Sequence, residues 1–144
     1  MSRDSMDIAT LMLIAYRAMD ERVISAMRDA GYNITVAQAR LAQRIAEDGS
    51  RLVDLAEQAQ VTKQTASVLV AALEREGLVE RVPDPTDGRA RLIRFTVEGQ
   101  AAADRAREVA MSVEQEWNDY LGPRLATALR EALTSLRELV DPYR

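Results

Sequence analysis

Three arginines, Arg89, Arg91 and Arg94, lie in the stretch DPTDGRARLIRFT, which opens with turn formers and places an acid, Asp87, two positions before the first of them. A guanidinium is a permanent cation with a planar fork of donors, suited to carboxylates, to phosphates and to the concentrated negative potential of a narrow DNA minor groove. Just past a turn, Arg89 would project from the tip of a hairpin. The Asp87 carboxylate, at this spacing, would pair with the Arg89 guanidinium and hold it extended, at little cost because the pair is exposed. Arg91 and Arg94 are three positions apart and point to opposite faces of a regular strand, so at most one of them should face the same phosphates.

A second candidate surface precedes the hairpin. In VTKQTASVLVAALEREG, Thr62 is placed to cap a helix that Gly77 ends. Ala66, Leu69, Val70 and Leu73 share the face that belongs in a core, while Gln64, Ser67, Val68, Ala71 and Arg75 share the opposite one. Between Thr62 and Leu73 there is no acid, and Lys63 is the only lysine in the chain. Thr62, Lys63, Gln64, Thr65, Ser67 and Val68 are therefore candidates for DNA contact. Lys63 would neutralise a phosphate, the polar side chains would reach bases or phosphates, and Val68 would at most touch a thymine methyl.

The absences narrow the chemistry further. The chain has no cysteine and no histidine, so it has no disulfide, no thiol nucleophile, no thiol redox switch, and no Ser-His or Cys-His dyad. Zinc would have to be held by carboxylates alone, which is unusual. No carboxylates, tyrosines or lysine stand at a spacing that makes a catalytic site, so neither an enzyme nor a metal or cofactor is expected. No apolar run approaches the roughly 20 residues a membrane span needs. The N-terminal stretch MSRDSMDIATLMLIAYRAMDE lacks a basic leader and a small-residue cleavage site, and reads as a helix of a cytoplasmic protein.

These candidates need elements to position them. At 144 residues the chain suits one domain with a helical layer attached. Apolar residues at Ile8, Leu11, Met12, Ala15, Met19, Val23, Ala26 and Met27 predict a first helix that Gly31 ends. Leu13 and Ile14 lie off that stripe, so the helix is apolar over more of its circumference than one neighbour requires, and a partner subunit would cover the surplus. Thr35 and Gln38 form a capping box for a second helix, with Gly49 as its stop. A short helix around Leu52, Leu55 and Ala56, a tight turn at Gln60 and Val61, and the Thr62 helix make a helix-turn-helix. LVERV and ARLIRF then read as the strands of a hairpin, turned by Pro83, Pro85, Asp87 and Gly88. Thr96 caps a long helix, LGP breaks it, and a last helix carries Leu125, Leu129, Leu133, Leu136, Leu139 and Val140 on one side. A helix-turn-helix followed directly by a hairpin is a winged helix, in which the second helix enters a major groove and the hairpin reaches the adjoining minor groove.

This order of elements, with the stretch GLVERVPDPTDGRARLIRFTVEG, resembles the MarR family of transcription regulators. Gly77-Leu78-Val79, the spacing of Asp87 and Arg89, and Thr96 followed by Gly99 carry the likeness, which covers nearly the whole chain. It implies a mainly α fold with a small β-hairpin wing: a winged helix-turn-helix at residues 35–96, and a helical dimerisation region formed by residues 1–34 and 97–144. It further implies a homodimer that binds a pseudo-palindromic operator and acts as a repressor released by a small aromatic or phenolic ligand. Met12, Tyr16, Met111 and Trp117 are candidates to line that ligand's pocket.

Two features depart from a strongly basic DNA reader. Val68 stands where the family often has a basic or polar side chain, and Ala71 is equally inert. Residues 51–95 hold seven basic and seven acidic side chains, so the region is neutral and the chain's net charge of −4 resides in the rest. Binding would depend on where charges sit, on dimeric avidity and on the helix N-terminus, and would fall steeply with salt. The rival expectation is a winged helix that binds protein without reading DNA.

Overall fold

The computed structural model describes residues 5–143; residues 1–4 of the stretch read for a leader, and Arg144, lie outside it. Six helices and one hairpin follow in order: α1 (Ile8–Asp29), α2 (Val36–Ala42), α3 (Leu52–Ala59), α4 (Lys63–Arg75), β1 (Val79–Asp84), β2 (Asp87–Phe95), α5 (Val97–Leu121) and α6 (Pro123–Val140). This is the mainly α winged helix with long flanking helices that the sequence predicts. Among the described residues, no helix is long and apolar enough to cross a membrane.

Local chemistry explains most boundaries. Thr35 and Gln38 make both bonds of the capping box on α2, and Thr62 and Thr96 accept the N–H groups of Thr65 and Gly99 at the starts of α4 and α5. Gly31 and Gly77 sit at φ 94° and 73°, just past α1 and α4, where an L side chain would be strained. The turn between α3 and α4 uses Gln60 in the left-handed region at φ 58°, the one non-glycine residue there among those described.

Two expectations change. α2 ends at Ala42 rather than running to Gly49. Ser50 pairs antiparallel with Ile93 of β2 through both backbone bonds, 2.9 and 2.8 Å, and its hydroxyl accepts the Ala46 N–H. Gly49, at φ 98°, lies so close to β2 that an added Cβ would stand 3.1 Å from Leu92 Cβ. The glycine thus permits a strand-like bridge and does not stop a helix. In α1 the buried residues are Ile24 and Met27, whereas Ile8, Leu11, Met12, Leu13 and Ile14 are exposed. Only the C-terminal part of α1 reaches the core, so helical periodicity marked a face without telling which turns are covered.

The core gathers Met27, Leu41, Leu55, Val70, Ile93 and Ala102, one residue each from α1, α2, α3, α4, β2 and α5. It seats the helix-turn-helix on the hairpin and on the first turns of α5. Val113, further along α5, is buried apart from that cluster. There α5 runs against α1, and Arg22 donates two bonds to Glu116, 2.9 and 3.1 Å. No residue of α6 is buried; it packs on α5, with Arg130 paired to Glu114.

Candidate nucleic-acid interface

α4 presents the face the sequence assigned to recognition. Ala66, Val70 and Leu73 are buried, while Lys63, Gln64, Thr65 and Val68 are exposed and Ser67 is half-buried. The Thr62 hydroxyl is engaged in the cap, accepting from the Thr65 N–H at 3.0 Å and donating to the Thr65 hydroxyl at 2.9 Å. Thr62 therefore acts on this surface by fixing the helix start, where the free N–H groups and the helix dipole favour an anion. Val68 is 63% exposed, an apolar side chain on an otherwise polar surface.

The hairpin is regular at its base and irregular at its tip. Val79 pairs with Phe95 and the register holds to Pro83 opposite Arg91; the next pair is Asp84 with Asp87. Gly88, Arg89 and Ala90 thus fall between successive pairs and form a bulge on β2 beside the Pro85-Thr86 turn. Arg89 and Arg91 are exposed. Asp87 corrects the expectation placed on it. Its carboxylate accepts the backbone N–H of Arg89 at 3.1 Å and makes no ion pair with the guanidinium, because at two residues' distance the nearer donor is the main chain. The turn shapes the bulge and leaves the Arg89 side chain free.

Ion pairing redistributes the neutral charge count. Arg51, Arg81 and Arg94 are matched with Asp84, Glu74 and Glu80 at 2.7, 2.9 and 2.7 Å. Lys63, Arg75, Arg89 and Arg91 remain without a carboxylate partner among the described residues. Lys63 at the start of α4 and Arg89 and Arg91 at the wing are thus without an ion-pair partner, as are the acids Asp54, Glu57, Glu76 and Asp87 among the described residues, while Arg94 is committed to Glu80 across the hairpin.

The residues that sequence reasoning missed are Arg51, Asp84 and Thr86. Asp84 is only 6% exposed. One carboxylate oxygen accepts the Thr86 N–H and hydroxyl, both at 2.8 Å; the other accepts Arg51 Nε and Nη2 at 2.9 and 2.7 Å. An Asp-Pro-Thr turn is a readable signal for the first half of this arrangement. Nothing in the local sequence announces a partner 33 positions away.

The Thr86 backbone and hydroxyl bonds, then the Arg51 guanidinium, hold the Asp84 carboxyl at about 2, below its ordinary 3.8. A depressed carboxylate stabilises the fold fully above its unfolded value and loses that contribution as pH falls through its folded value. We expect Asp84→Asn to lower the melting temperature at neutral pH, with the difference from wild type shrinking between about pH 4 and about pH 2. A difference that stays constant across that window would show that the carboxylate's charge does not matter there.

The four residues considered for a ligand pocket are not brought together. Trp117 lines a groove of about 650 Å³ with Ala18, Arg22, Ser25 and Ala26 of α1. Met12, Tyr16 and Met111 are exposed outside it, and the Arg40 guanidinium stands over the Tyr16 ring, 5.1 Å from its centre.

A sequence model of the MarR family matches residues 32–90. The transcriptional regulator HosA of Escherichia coli O111:H- is 35% identical over 86 residues, 59% of this chain and 64% of that protein, so the match spans a little under two thirds of the relative. HosA of Escherichia coli O127:H6 is 34% identical over 105 residues, 72% of this chain and 75% of that protein. Wild-type apo MarR from E. coli superposes with a TM-score of 0.74 at 22% identity, over 91% of this chain and 97% of that one. CouR from Rhodococcus jostii RHA1, bound to p-coumaroyl-CoA, does so with 0.76 at 22% identity, over 97% and 96%. At these identities the structural likeness is one of fold.

Proposed function

This chain belongs to the MarR family, and from that premise we propose that it is a homodimeric, sequence-specific DNA-binding transcription regulator of the cytoplasm. In this reading it is a repressor that a small aromatic ligand releases from its operator. The observation that carries the proposal is the pairing pattern: the helix-turn-helix and wing are neutral by count, yet their unmatched cations include Lys63 at the start of α4 and Arg89 and Arg91 at the wing. α4 enters a major groove with Gln64, Thr65, Ser67 and Val68 toward the bases, and Arg89 reaches the flanking minor groove. Exposed apolar side chains on the first turns of α1 and along α6 support the dimer, which sets two half-sites about 34 to 36 Å apart. The groove beside Trp117 is where we place the ligand; CouR, with this fold, was solved with an aromatic acyl-CoA.

Selection of bound duplexes from a random pool, at low and at moderate salt, tests this. We expect a palindrome with half-sites one turn apart. Arg89→Ala should weaken binding to it by about 1 to 3 kcal/mol without altering the melting temperature. The exposed Val68, with Ala71 beside it, favours a second reading, a protein-binding winged helix. Failure to enrich any sequence at low salt would replace the first reading with the second.

A further inference from the structure

Ser50 and Arg51 precede α3 and grip the hairpin at two points. Ser50 is bonded through its backbone to Ile93 of β2, and Arg51 through its side chain to Asp84 of β1. Arg51 makes no side-chain cap bond on its own helix, so its guanidinium serves the hairpin. The second grip lies where the strand ladder stops giving order. The last pair in regular register is Pro83 with Arg91, and Pro83 has no N–H to donate. Beyond it lie the Pro85-Thr86 turn and the bulge that carries Arg89. With one Asp84 oxygen closing the turn and the other held by Arg51, the direction of the tip is set by a side-chain bond to the start of α3. Through α3 that bond refers the tip to α4, whose contacts with α3 are extensive.

We propose that Arg51 is a positioning residue of the wing: through Asp84 it fixes the angle at which Arg89 is presented relative to α4, and so sets the sequence preference at the outer flank of each half-site. This rests on the DNA-binding reading of the wing. The position is suited to such a role because a paired guanidinium aimed at one carboxylate oxygen defines a direction as well as a distance.

The test is a double-mutant cycle in DNA affinity. Full-length wild type, Arg51→Ala, Arg89→Ala and the double variant are titrated with the selected duplex, with a duplex altered only at the flanks, and with a random duplex, and each protein is checked by thermal melting. Arg89→Ala alone should cost about five- to 150-fold on the selected duplex. Arg51→Ala should cost about three- to tenfold when Arg89 is present and under about twofold when it is absent, since residues acting through one contact are not additive. It should also narrow the preference for the selected over the altered flank. Arg51→Lys, which keeps the charge but not the planar fork, should recover part of the loss, and it replaces the alanine variant in the cycle if that variant melts too early to measure. Equal losses with and without Arg89, or an equal loss on random duplex, would overturn the proposal by making Arg51 an independent phosphate contact. An Arg89→Ala protein with undiminished affinity would instead sink the wing reading on which the proposal stands.

Discussion

Removing the residues after Tyr120 is expected to yield a protein that sediments as a monomer and loses nearly all affinity for a two-half-site duplex. The removed segment contains all of α6, and none of that helix is buried within the protomer. An amphipathic helix exposing this much leucine is stable only where its apolar face is covered. Leu139 is 82% exposed, and on α1 Ile8 is 72% exposed. Covering one such side chain is worth about 1.5 to 3 kcal/mol, so a handful is enough to hold two protomers together. Losing the second binding module then removes avidity of about 10² to 10⁴. Replacing Ile8 and Leu139 together by glutamate gives an independent check that leaves α6 in place. These side chains face solvent in the protomer, so its fold should survive, while charge in the interface should split the dimer. A truncated chain that sediments as a stable dimer would overturn the assignment of α6.

The second large effect is expected at Gly99. This glycine is helical, in the first turn of α5, and by helix propensity alone alanine should stabilise it by about 1 kcal/mol. The surroundings predict the reverse. Gly99 is buried, its N–H is bonded to the Thr96 hydroxyl, and that hydroxyl donates to the Gly77 carbonyl at 2.6 Å. A Cβ would overlap the Leu78 carbonyl oxygen outright and stand 2.7 Å from the carbonyl carbon. The obstacle is backbone at the junction of α4 and β1, which cannot turn aside as a side chain would. Gly99→Ala should therefore destabilise the protein by about 3 kcal/mol or more, read from the denaturant midpoint. A loss below about 0.5 kcal/mol, the range of ordinary surface changes, would mean that α5 can slide on the hairpin. Such sliding would also uncouple the long helices from α4.

The helix caps were legible because their roles depend on near neighbours. Thr62, Thr96 and the Thr35-Gln38 pair act on backbone groups within one turn. The spacing of apolar residues likewise put Ala66, Val70 and Leu73 on the buried side of α4. The Asp87 expectation failed on a matter of reach, since the carboxylate found the Arg89 main chain before its side chain. Gly49 was read as a helix stop because its sequence context cannot distinguish a C-cap from a site where another strand approaches.

By itself the sequence determined the element order, the caps, the winged-helix motif and the absence of cysteine and histidine chemistry, all of which follow from residue types and their separations along the chain. The tertiary structure alone decided which arginines are free. Arg51, Arg81 and Arg94 are paired with acids 33, 7 and 14 positions away, and only folding, which brings such pairs within hydrogen-bond distance, sets them apart from the unpaired Lys63, Arg89 and Arg91.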